Sequence, residues 1–344
     1  MPTITPNMES WQRYFESIGI DPLLSQSYRN YIDHMLRGGL PVIFEFRHLA
    51  ALLGRTPGYL ASAVNCTESH YREFEIPKRR GGKRTIDAPY PALLECQQWI
   101  NHHILAKVPI HSAAHGFVTK KSILTNAWLH CAKTHLLKMD LKDFFPSIQM
   151  SRVIKVFQVL GYPNNVAFYL ARLCCFKGSL PQGAATSPAL SNVIARRLDA
   201  RLSGLAQKQD LRYSRYADDL VFSGAEIYPW LIQAVERIAG DEGFKVNAEK
   251  TQLIRSARRR IVTGLSVVGK RPHLPASYKR RVRQDVHYIV KFGYDSHVRK
   301  LKIRNPFYLD SLFGKLTFWK SVEPKNAFVK EFLPKIEAIK NLAS

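Results

Sequence analysis

Cysteine is scarce in this sequence, and its spacing suggests neither a disulfide framework nor a zinc ribbon. There are five cysteines, an odd number, and no two of them form a C-x-x-C pair. Disulfide frameworks normally use an even number of cysteines, and zinc ribbons use C-x-x-C pairs. The cysteine content therefore fits a protein of the reducing cytoplasm, which is the location that we expect.

Long apolar runs and export signals are also missing. No apolar segment approaches the roughly 20 residues that a helix needs to cross a bilayer. The first ten residues, MPTITPNMES, lack the basic region and apolar core of a secretion signal. We therefore expect a protein without a membrane partner.

Acidic residues are outnumbered by basic ones. The 344 residues include 27 Asp and Glu against 51 Lys and Arg, which leaves a net charge of +24. Such a charge attracts polyanions, and nucleic acid is the usual partner. A basic protein that is merely soluble, or one that touches acidic membranes, is the alternative that charge alone leaves open.

Apolar spacing and turn residues predict a mixed α and β chain. Short helices are expected around residues 11–18, 26–36 and 46–53, followed by a hairpin with its turn at Gly81 and Gly82. The further expected elements are a helix over 91–108, a strand entering Asp140, a helix capped by Ser187 that runs to about 205, two strands meeting at 217–219, a helix over 228–239, a strand around 244–246, a strand pair around Gly264, and basic helices beyond residue 270.

Three aspartates stand at predicted strand ends. Asp140 ends one strand, and Asp218 and Asp219 occupy a hairpin tip 78 residues later. Magnesium prefers carboxylate oxygens, and two such ions about 3.5–4 Å apart activate an attacking hydroxyl and stabilise a leaving phosphate. A solvated Asp-Asp turn is common, so the pair alone leaves both interpretations open.

The strings around these aspartates resemble the motifs of reverse transcriptases. RYADDLVFSG resembles the Y-x-D-D hairpin, and KMDLKDFFPSI resembles the motif that carries the first metal-binding aspartate, here Asp140. SLPQGAATSPALSN resembles the nucleotide-pocket motif, and residues 76–100 resemble the fingers motif. The four motifs occur in family order over roughly residues 70–270.

Two further strings are similar to signatures of the retron type of this family. Residues 126–130, NAWLH, resemble the N-A-x-x-H signature, and residues 262–264 resemble the V-T-G signature. Retron enzymes are bacterial and reverse-transcribe part of a partner noncoding RNA, starting from a 2′-hydroxyl of a guanosine. The product is a branched RNA–DNA hybrid, and such systems commonly serve in phage defence together with an effector protein.

The resemblance implies an α+β fold arranged like a right hand. We expect an N-terminal helical extension over 1–70, interleaved fingers and palm over 71–270, with a small antiparallel sheet backed by helices in the palm, and a basic helical thumb over 271–344. It also implies two Mg²⁺ ions, with Mn²⁺ as the alternative, held by Asp140, Asp218, Asp219 and the backbone carbonyl of Leu141.

The same resemblance assigns residues to the incoming dNTP. Phe145 is expected under the sugar, where its ring would reject a 2′-hydroxyl, although a core phenylalanine is the alternative. A basic hairpin is expected to close over the triphosphate, and a solvated basic loop is its alternative. The nucleotide-binding residues expected are Lys78, Arg79, Arg84, Phe145, Gln182, Gly183 and Tyr216.

The expected RNA contacts comprise one pair and one basic segment. Asn126 and His130 are interpreted either as contacts to folded RNA or as braces for the palm. The basic contacts expected in the thumb are Arg280, Arg281, Arg283 and Lys300. Lys250 is a weaker candidate for protonating or steadying pyrophosphate.

The predicted function is that of a retron RNA-directed DNA polymerase. Its partners would be the noncoding RNA, the RNA–DNA product, dNTPs and an effector protein. Two alternatives stay open: a group II intron-like or other bacterial reverse transcriptase, and a nucleic-acid-binding scaffold that sequesters an effector.

Overall fold

A computed structural model of the chain describes residues 8–77, 81–255 and 260–343. Its helices are α1 Met8–Ser17, α2 Pro22–Arg37, α3 Phe46–Leu52, α4 Pro57–Asn65, α5 Pro91–His103, α6 Ile123–Trp128, α7 Met150–Val159, α8 Asn164–Cys174, α9 Ser187–Ile194, α10 Arg196–Lys208, α11 Trp230–Asp241, α12 Ala276–Phe292, α13 Tyr294–Leu301, α14 Tyr308–Val322 and α15 Ala327–Ala343. Its strands are β1 Tyr71–Pro77, β2 Lys83–Pro89, β3 His135–Asp140, β4 Arg212–Tyr216, β5 Asp219–Gly224, β6 Gln252–Ile254, β7 Ile261–Val262 and β8 Leu265–Ser266.

The chain divides into two compact units. The first contains the described residues up to Phe117 together with Leu141–Leu202 and Ala234–Asn247. The second contains Val118–Asp140, Ser203–Gln233 and the described residues from Ala248 onward.

The first unit is mainly helical, and α8 lies at its centre. This helix packs against α3, α4, α5 and α7 and buries Leu170 and Leu173 completely. The buried Gln97 of α5 donates to the Tyr71 hydroxyl and the Leu173 carbonyl, and its side-chain oxygen accepts from the Ala185 amide. One satisfied amide therefore connects the core to the loop before α9.

The expected hairpin is confirmed in the first unit. Strands β1 and β2 pair antiparallel from Tyr71 opposite Pro89 to Pro77 opposite Lys83. Gly81 and Gly82 have φ values of 88° and 78°, which glycine adopts at low steric cost. Lys78 and Arg79 lie outside the described residues.

The second unit is built on an antiparallel sheet with strand order β4-β5-β3-β6. Its buried core includes Leu136 and Val221 from the sheet and Val286, Leu312 and Trp319 from the C-terminal helices. The apolar side chains recur at helical spacing, so α12, α14 and α15 each bury one face in this core. The small antiparallel sheet and the basic C-terminal helices were both predicted.

Glu323 connects three segments of this core. Its carboxylate accepts from the Leu274 amide and the Trp319 indole, and it forms an ion pair with Lys279 at 2.6 Å. Burial alone would raise the pKa of Glu323, but these donors outweigh burial and lower it to about 2. The carboxylate is therefore a structural anion at the end of α14.

Three local predictions were wrong. Thr186, not Ser187, is the residue before α9, and the Ser187 hydroxyl donates instead to the Pro181 carbonyl at 2.8 Å. The helix expected to run from 187 to about 205 is interrupted at Ala195. The strand expected around 244–246 is reduced to one bridge between Val246 and Leu141.

A membrane span was not predicted. Within the described ranges, none of the helices combines the length and the apolar character that crossing a bilayer requires.

Candidate active site

The hairpin of β4 and β5 presents two of the predicted catalytic aspartates. Tyr216 pairs with Asp219 in the register, so the loop contains only Ala217 and Asp218. Ala217 has a φ of 55°, a left-handed conformation that costs a residue with a Cβ atom roughly 1–2 kcal/mol. The buried Arg215 donates to the Ala217 carbonyl at 3.1 Å. Strain that the surrounding structure maintains in this way is typical of functional turns.

The third aspartate lies directly beside this turn. In the antiparallel register of β3 and β5, Asp140 is opposite Asp219. Directly opposed residues have Cβ atoms about 4.5–5.5 Å apart and project from the same face of the sheet. The fold therefore joins aspartates that are distant in sequence, as the motif interpretation requires.

The electrostatics of Asp219 reflect crowding of negative charge. The pKa of this carboxyl is raised to about 6, chiefly by burial and also by the neighbouring Asp218 and Asp140, whereas Lys138 and Lys250 oppose the shift. A carboxylate that is desolvated next to other carboxylates is destabilised in its charged form. A cation at this edge of the sheet would relieve that destabilisation.

Lys250 places such a cation beside Asp140. Its ammonium lies 2.8 Å and 3.0 Å from the two carboxylate oxygens of Asp140. The contact raises the pKa of Lys250, chiefly through the hydrogen bond to Asp140. The sequence marked Lys250 only weakly, because the 110 residues that separate it from Asp140 hide the contact.

The donor chemistry of this cluster fits a hard divalent ion. Three carboxylates and the Leu141 carbonyl are oxygen donors of the kind that Mg²⁺ prefers. Within the parts of the chain that the structure describes, no group of three or more acidic, histidine or cysteine side chains is arranged so that it could hold a metal ion. The Asp140 carboxylate is instead paired with the Lys250 ammonium.

The first unit contains the predicted Pro-Gln-Gly loop. The Gln182 carbonyl accepts from the Asp87 amide at 2.9 Å. A Cβ atom on Gly183 would lie 2.5 Å from the Asp87 carbonyl oxygen, and Gly183 has a φ of 147°. Only glycine therefore fits against β2 at this position.

Phe145 is half-buried in the same unit. Its ring lies 5.6 Å from Phe144 and 6.1 Å from Phe117. Phe144 is the buried core residue of the pair and packs on Phe244. Phe145 is thus partly accessible, as a ring that contacts a ligand must be.

Phe117 was missed by the sequence interpretation. It is 52% exposed and adopts a φ of 60°. A bulky residue is rarely found in that conformation, which marks such positions as candidates for function. The sequence contains no signal for this, because HGFVTKKS has no recognisable spacing.

Comparison with known proteins identifies the family. A profile described as reverse transcriptase (RNA-dependent DNA polymerase) matches residues 76–288, which is more than half of the chain. The chain belongs to the reverse transcriptase family. This membership confirms the predicted polymerase fold and RNA-directed DNA polymerase activity, and the family as a whole depends on divalent metal ions.

The curated relatives are retron reverse transcriptases. The chain is 34% identical to the retron Mx162 enzyme of Myxococcus xanthus over 81% of this chain and 62% of that protein. It is 34% identical to the retron Mx65 enzyme of the same organism over 88% and 80%. It is 33% identical to the retron Ec86 enzyme of Escherichia coli over 76% and 83%. The retron resemblance is therefore confirmed.

Among solved structures, the chain is similar to telomerase from Candida albicans in complex with a fragment of telomeric RNA. The similarity has a TM-score of 0.42 and 11% identity, over 79% of this chain and 63% of that chain.

The two retron signatures meet inside the second unit. His130 is 1% exposed, and its two ring nitrogens lie 2.7 Å from the hydroxyls of Ser223 and Ser214. The Ser214 hydroxyl donates to the fully buried Asn126, and the Asn126 amide lies 3.5 Å from the Thr263 hydroxyl. Asn126 of N-A-x-x-H thus contacts Thr263 of V-T-G directly, and Ser214 of β4 connects Asn126 to His130.

This burial corrects the expectation that Asn126 and His130 contact RNA. Side chains enclosed in protein cannot contact a strand outside it, so the brace interpretation holds for both. Helix α6 ends at Trp128, so Asn126 lies on the helix and His130 in the turn that follows it. The Ser214 hydrogen is directed to Asn126, so the Ser214 oxygen is left to accept from His130 Nε2.

The basic residues predicted to bind RNA are exposed on the C-terminal helices. Arg280, Arg281 and Arg283 lie on α12, and Lys300 lies on α13. The Arg283 guanidinium lies 5.4 Å from the rings of both Trp319 and Phe328. Arg283 therefore covers the aromatic core as well as presenting charge.

Proposed function

We propose that this reverse transcriptase copies part of a partner noncoding RNA into a branched multicopy single-stranded DNA. The pairing of Asp140 with Asp219, next to Asp218 in the hairpin loop, supports this proposal most directly. The similarity to retron enzymes supports the choice of template. A role in phage defence with an effector protein, in the cytoplasm, rests on the retron resemblance alone.

Two Mg²⁺ ions, or Mn²⁺, would be held by Asp140, Asp218, Asp219 and the Leu141 carbonyl. When bound, they supply charge neutralisation and a more acidic primer hydroxyl. Lys250 carries a proton and lies beside Asp140, so it is suited to steady or protonate the leaving pyrophosphate. A bound cation would offset the burial and the carboxylate repulsion that raise the pKa of Asp219.

The first unit would supply the groups that hold the nucleotide. Phe145 offers a partly accessible ring to exclude a 2′-hydroxyl, and Gly183 brings backbone close to the ligand together with Gln182. Arg84 is exposed on β2 and would offset triphosphate charge with Lys78 and Arg79. Tyr216, half-buried at the end of β4, would support the primer end.

Within the right-hand arrangement, residues 71–270 would form the fingers and palm, and residues 271–344 would form the thumb. Residues 1–70 would form the helical extension. Arg280, Arg281, Arg283 and Lys300 would contact the phosphates of the template RNA and of the RNA–DNA product.

The test of catalysis is a double substitution at the hairpin loop. Asp218→Ala with Asp219→Ala should lower DNA synthesis from dNTPs by at least about 100-fold, because the groups that stabilise transition-state charge are lost. RNA affinity should stay within about twofold, since no cation is removed. Asp33→Asn, a surface acid paired with Arg37, is the matched control. Undiminished synthesis by the double variant would refute the site assignment, whereas wild-type protein that binds RNA but synthesises no DNA would favour a scaffold role.

The test of the template is the nucleic acid that copurifies with the protein from its host. Sequencing should recover a short DNA joined through a 2′-branch to RNA. Recovery of spliced intron RNA would instead support the group II intron-like alternative.

A further inference from the structure

A small aromatic cavity lies between α12 and α13 in the second unit. Its volume is about 260 Å³, and its walls include Asp285, Tyr288, Phe292, His297 and Lys300. Pockets that bury drug-sized ligands typically span about 300–1,000 Å³. The cavity is therefore suited to one flat ring system.

Its aromatic walls are nearly parallel. The rings of Tyr288 and Phe292 are stacked at 5.9 Å and 25°, and those of Tyr288 and His297 at 6.3 Å and 23°. Tyr288 and Phe292 remain 36% and 53% exposed. A flat aromatic ligand can extend this stack without displacing core residues, because the core of α12 is formed by Val282, Val286 and Ile289.

The positive charge around the cavity favours binding of an anionic nucleic-acid strand. Residues 276–304 contain nine Lys and Arg against two Asp, a net charge of +7. The Lys300 ammonium lies 5.8 Å above the Tyr288 ring, so a cation and a stacking surface are adjacent. That combination binds the phosphate and the base of one nucleotide together.

Polar groups in the wall can contact the edge of a base. Gln284 and Asp285 line the cavity. Gln284 offers an amide donor and an amide oxygen acceptor, and Asp285 offers a carboxylate acceptor. Tyr308 stands behind them, with its hydroxyl 3.0 Å from His297 Nε2. The ring of His297 is 4% exposed and is thereby fixed in orientation.

We propose that this cavity binds a single unpaired base of the RNA strand that the enzyme recognises. The stacked rings would hold the face of the base, Gln284 and Asp285 its edge, and Lys300 the adjoining phosphate. The proposed function supplies the identity of the strand as RNA. The cavity itself is separate from the aspartates and takes no part in nucleotidyl transfer.

The experiment compares two RNA hairpins of equal length in the absence of dNTPs. One is fully paired, and the other has a single bulged 2-aminopurine nucleotide. Stacking on protein rings contributes about 1–3 kcal/mol per base, so the full-length protein should bind the bulged hairpin roughly 5- to 150-fold more tightly. The 2-aminopurine fluorescence should fall on binding.

Substitutions separate stacking from charge. Tyr288→Ala with Phe292→Ala should abolish the preference for the bulge while leaving the affinity for the paired hairpin unchanged. Tyr288→Phe keeps the ring and should keep the preference. Lys300→Ala should weaken the binding of both RNAs and should reduce the slope of log affinity against log salt by about one, which corresponds to one phosphate contact. Circular dichroism and the thermal midpoint verify that each variant is folded.

Two results would overturn the proposal. One is a bulge preference that survives loss of both rings, and the other is a double variant that loses affinity equally for both hairpins. Because binding is measured without synthesis, failure of the polymerase function would appear separately, as wild-type protein that prefers the bulge yet extends no primer.

Discussion

At the residue scale, the register of the sheet places two carboxylates directly opposite each other. Like charges directly across an antiparallel pair destabilise a sheet, yet Asp140 faces Asp219 with Asp218 adjacent. Lys250 offsets part of this repulsion at Asp140. The remaining repulsion should lower the stability of the folded protein, and a divalent cation bound at the proposed site would relieve it.

Asp219→Asn should therefore stabilise the metal-free protein. The pKa of Asp219 is raised, chiefly by burial, from its ordinary value near 4 to about 6, so the folded state binds this proton more tightly than the unfolded state. Its contribution to stability is fully present below about pH 4 and is lost as the pH rises through 6. The substitution should add on the order of 2 kcal/mol at pH 8 and less at pH 5.

Urea unfolding with EDTA at the two pH values measures this difference. Asp33→Asn, on the surface of α2, should show no pH-dependent gain. An equal effect of Asp219→Asn at pH 5 and pH 8 would contradict the raised pKa.

Lys250 should compete with metal ions for the carboxylates. Removal of one positive charge about 5 Å from a bound cation in a solvent-accessible site lowers the electrostatic repulsion on that cation by roughly 1 kcal/mol. Lys250→Ala should therefore bind Mn²⁺ about 3- to 10-fold more tightly in calorimetric titrations, despite slower DNA synthesis. Lys250→Arg keeps the charge and should bind Mn²⁺ as the wild type does. Unchanged affinity in Lys250→Ala would show that the ion pair with Asp140 does not compete.

At the element scale, the braces behind β4 and β5 position the catalytic turn. His130→Phe keeps an aromatic ring, although a larger one, and removes a hydrogen-bond partner from Ser223 and from Ser214, which keeps Asn126. A buried hydroxyl that loses its partner costs about 1–3 kcal/mol, so we expect a loss of roughly 1–3 kcal/mol in urea unfolding. His287→Phe, at an exposed histidine of α12, should stay within about 0.5 kcal/mol. Equal stability of the two variants would mean that the brace is dispensable.

Local patterns predicted the elements whose signal is contained in a short window. The hairpin around Gly81 and Gly82, the strand entering Asp140 and the turn at Ala217 all have such signals. Helices α7 and α8 were not identified, since α8 buries most of its surface and lacks a polar face. The stretch around Val246 has strand character, but it forms a bridge with Leu141 alone because no neighbour continues the ladder.

Contacts between distant segments could not be obtained from the sequence. Lys250 pairs with Asp140, and Asn126 contacts Thr263. Each contact joins residues more than 100 positions apart in the sequence, which only the fold brings together. The motif match identified Asn126 and His130, but it did not distinguish an RNA contact from a buried brace. Burial distinguished them, and burial is a property of the folded unit.

At the scale of the whole molecule, charge supplies the attraction to RNA. A net charge of +24 releases counterions from RNA on binding, so affinity should fall steeply with salt. A protein that makes 6–10 phosphate contacts loses about 10³- to 10⁵-fold in affinity between 50 and 200 mM salt. The exposed arginines of α12 are expected to account for part of that loss.

Arg280→Gln with Arg281→Gln should reduce the slope of log affinity against log salt by about two, one for each phosphate contact. Arg13→Gln removes an exposed cation of α1 that is paired with Glu9, and it should leave the slope unchanged. Fluorescence anisotropy with one RNA over a salt series measures all three proteins. If both variants changed the slope equally, attraction would come from diffuse charge, and the basic face of α12 would have no special role. A change confined to the α12 variant would instead locate the phosphate contacts on the helix that also forms the aromatic cavity.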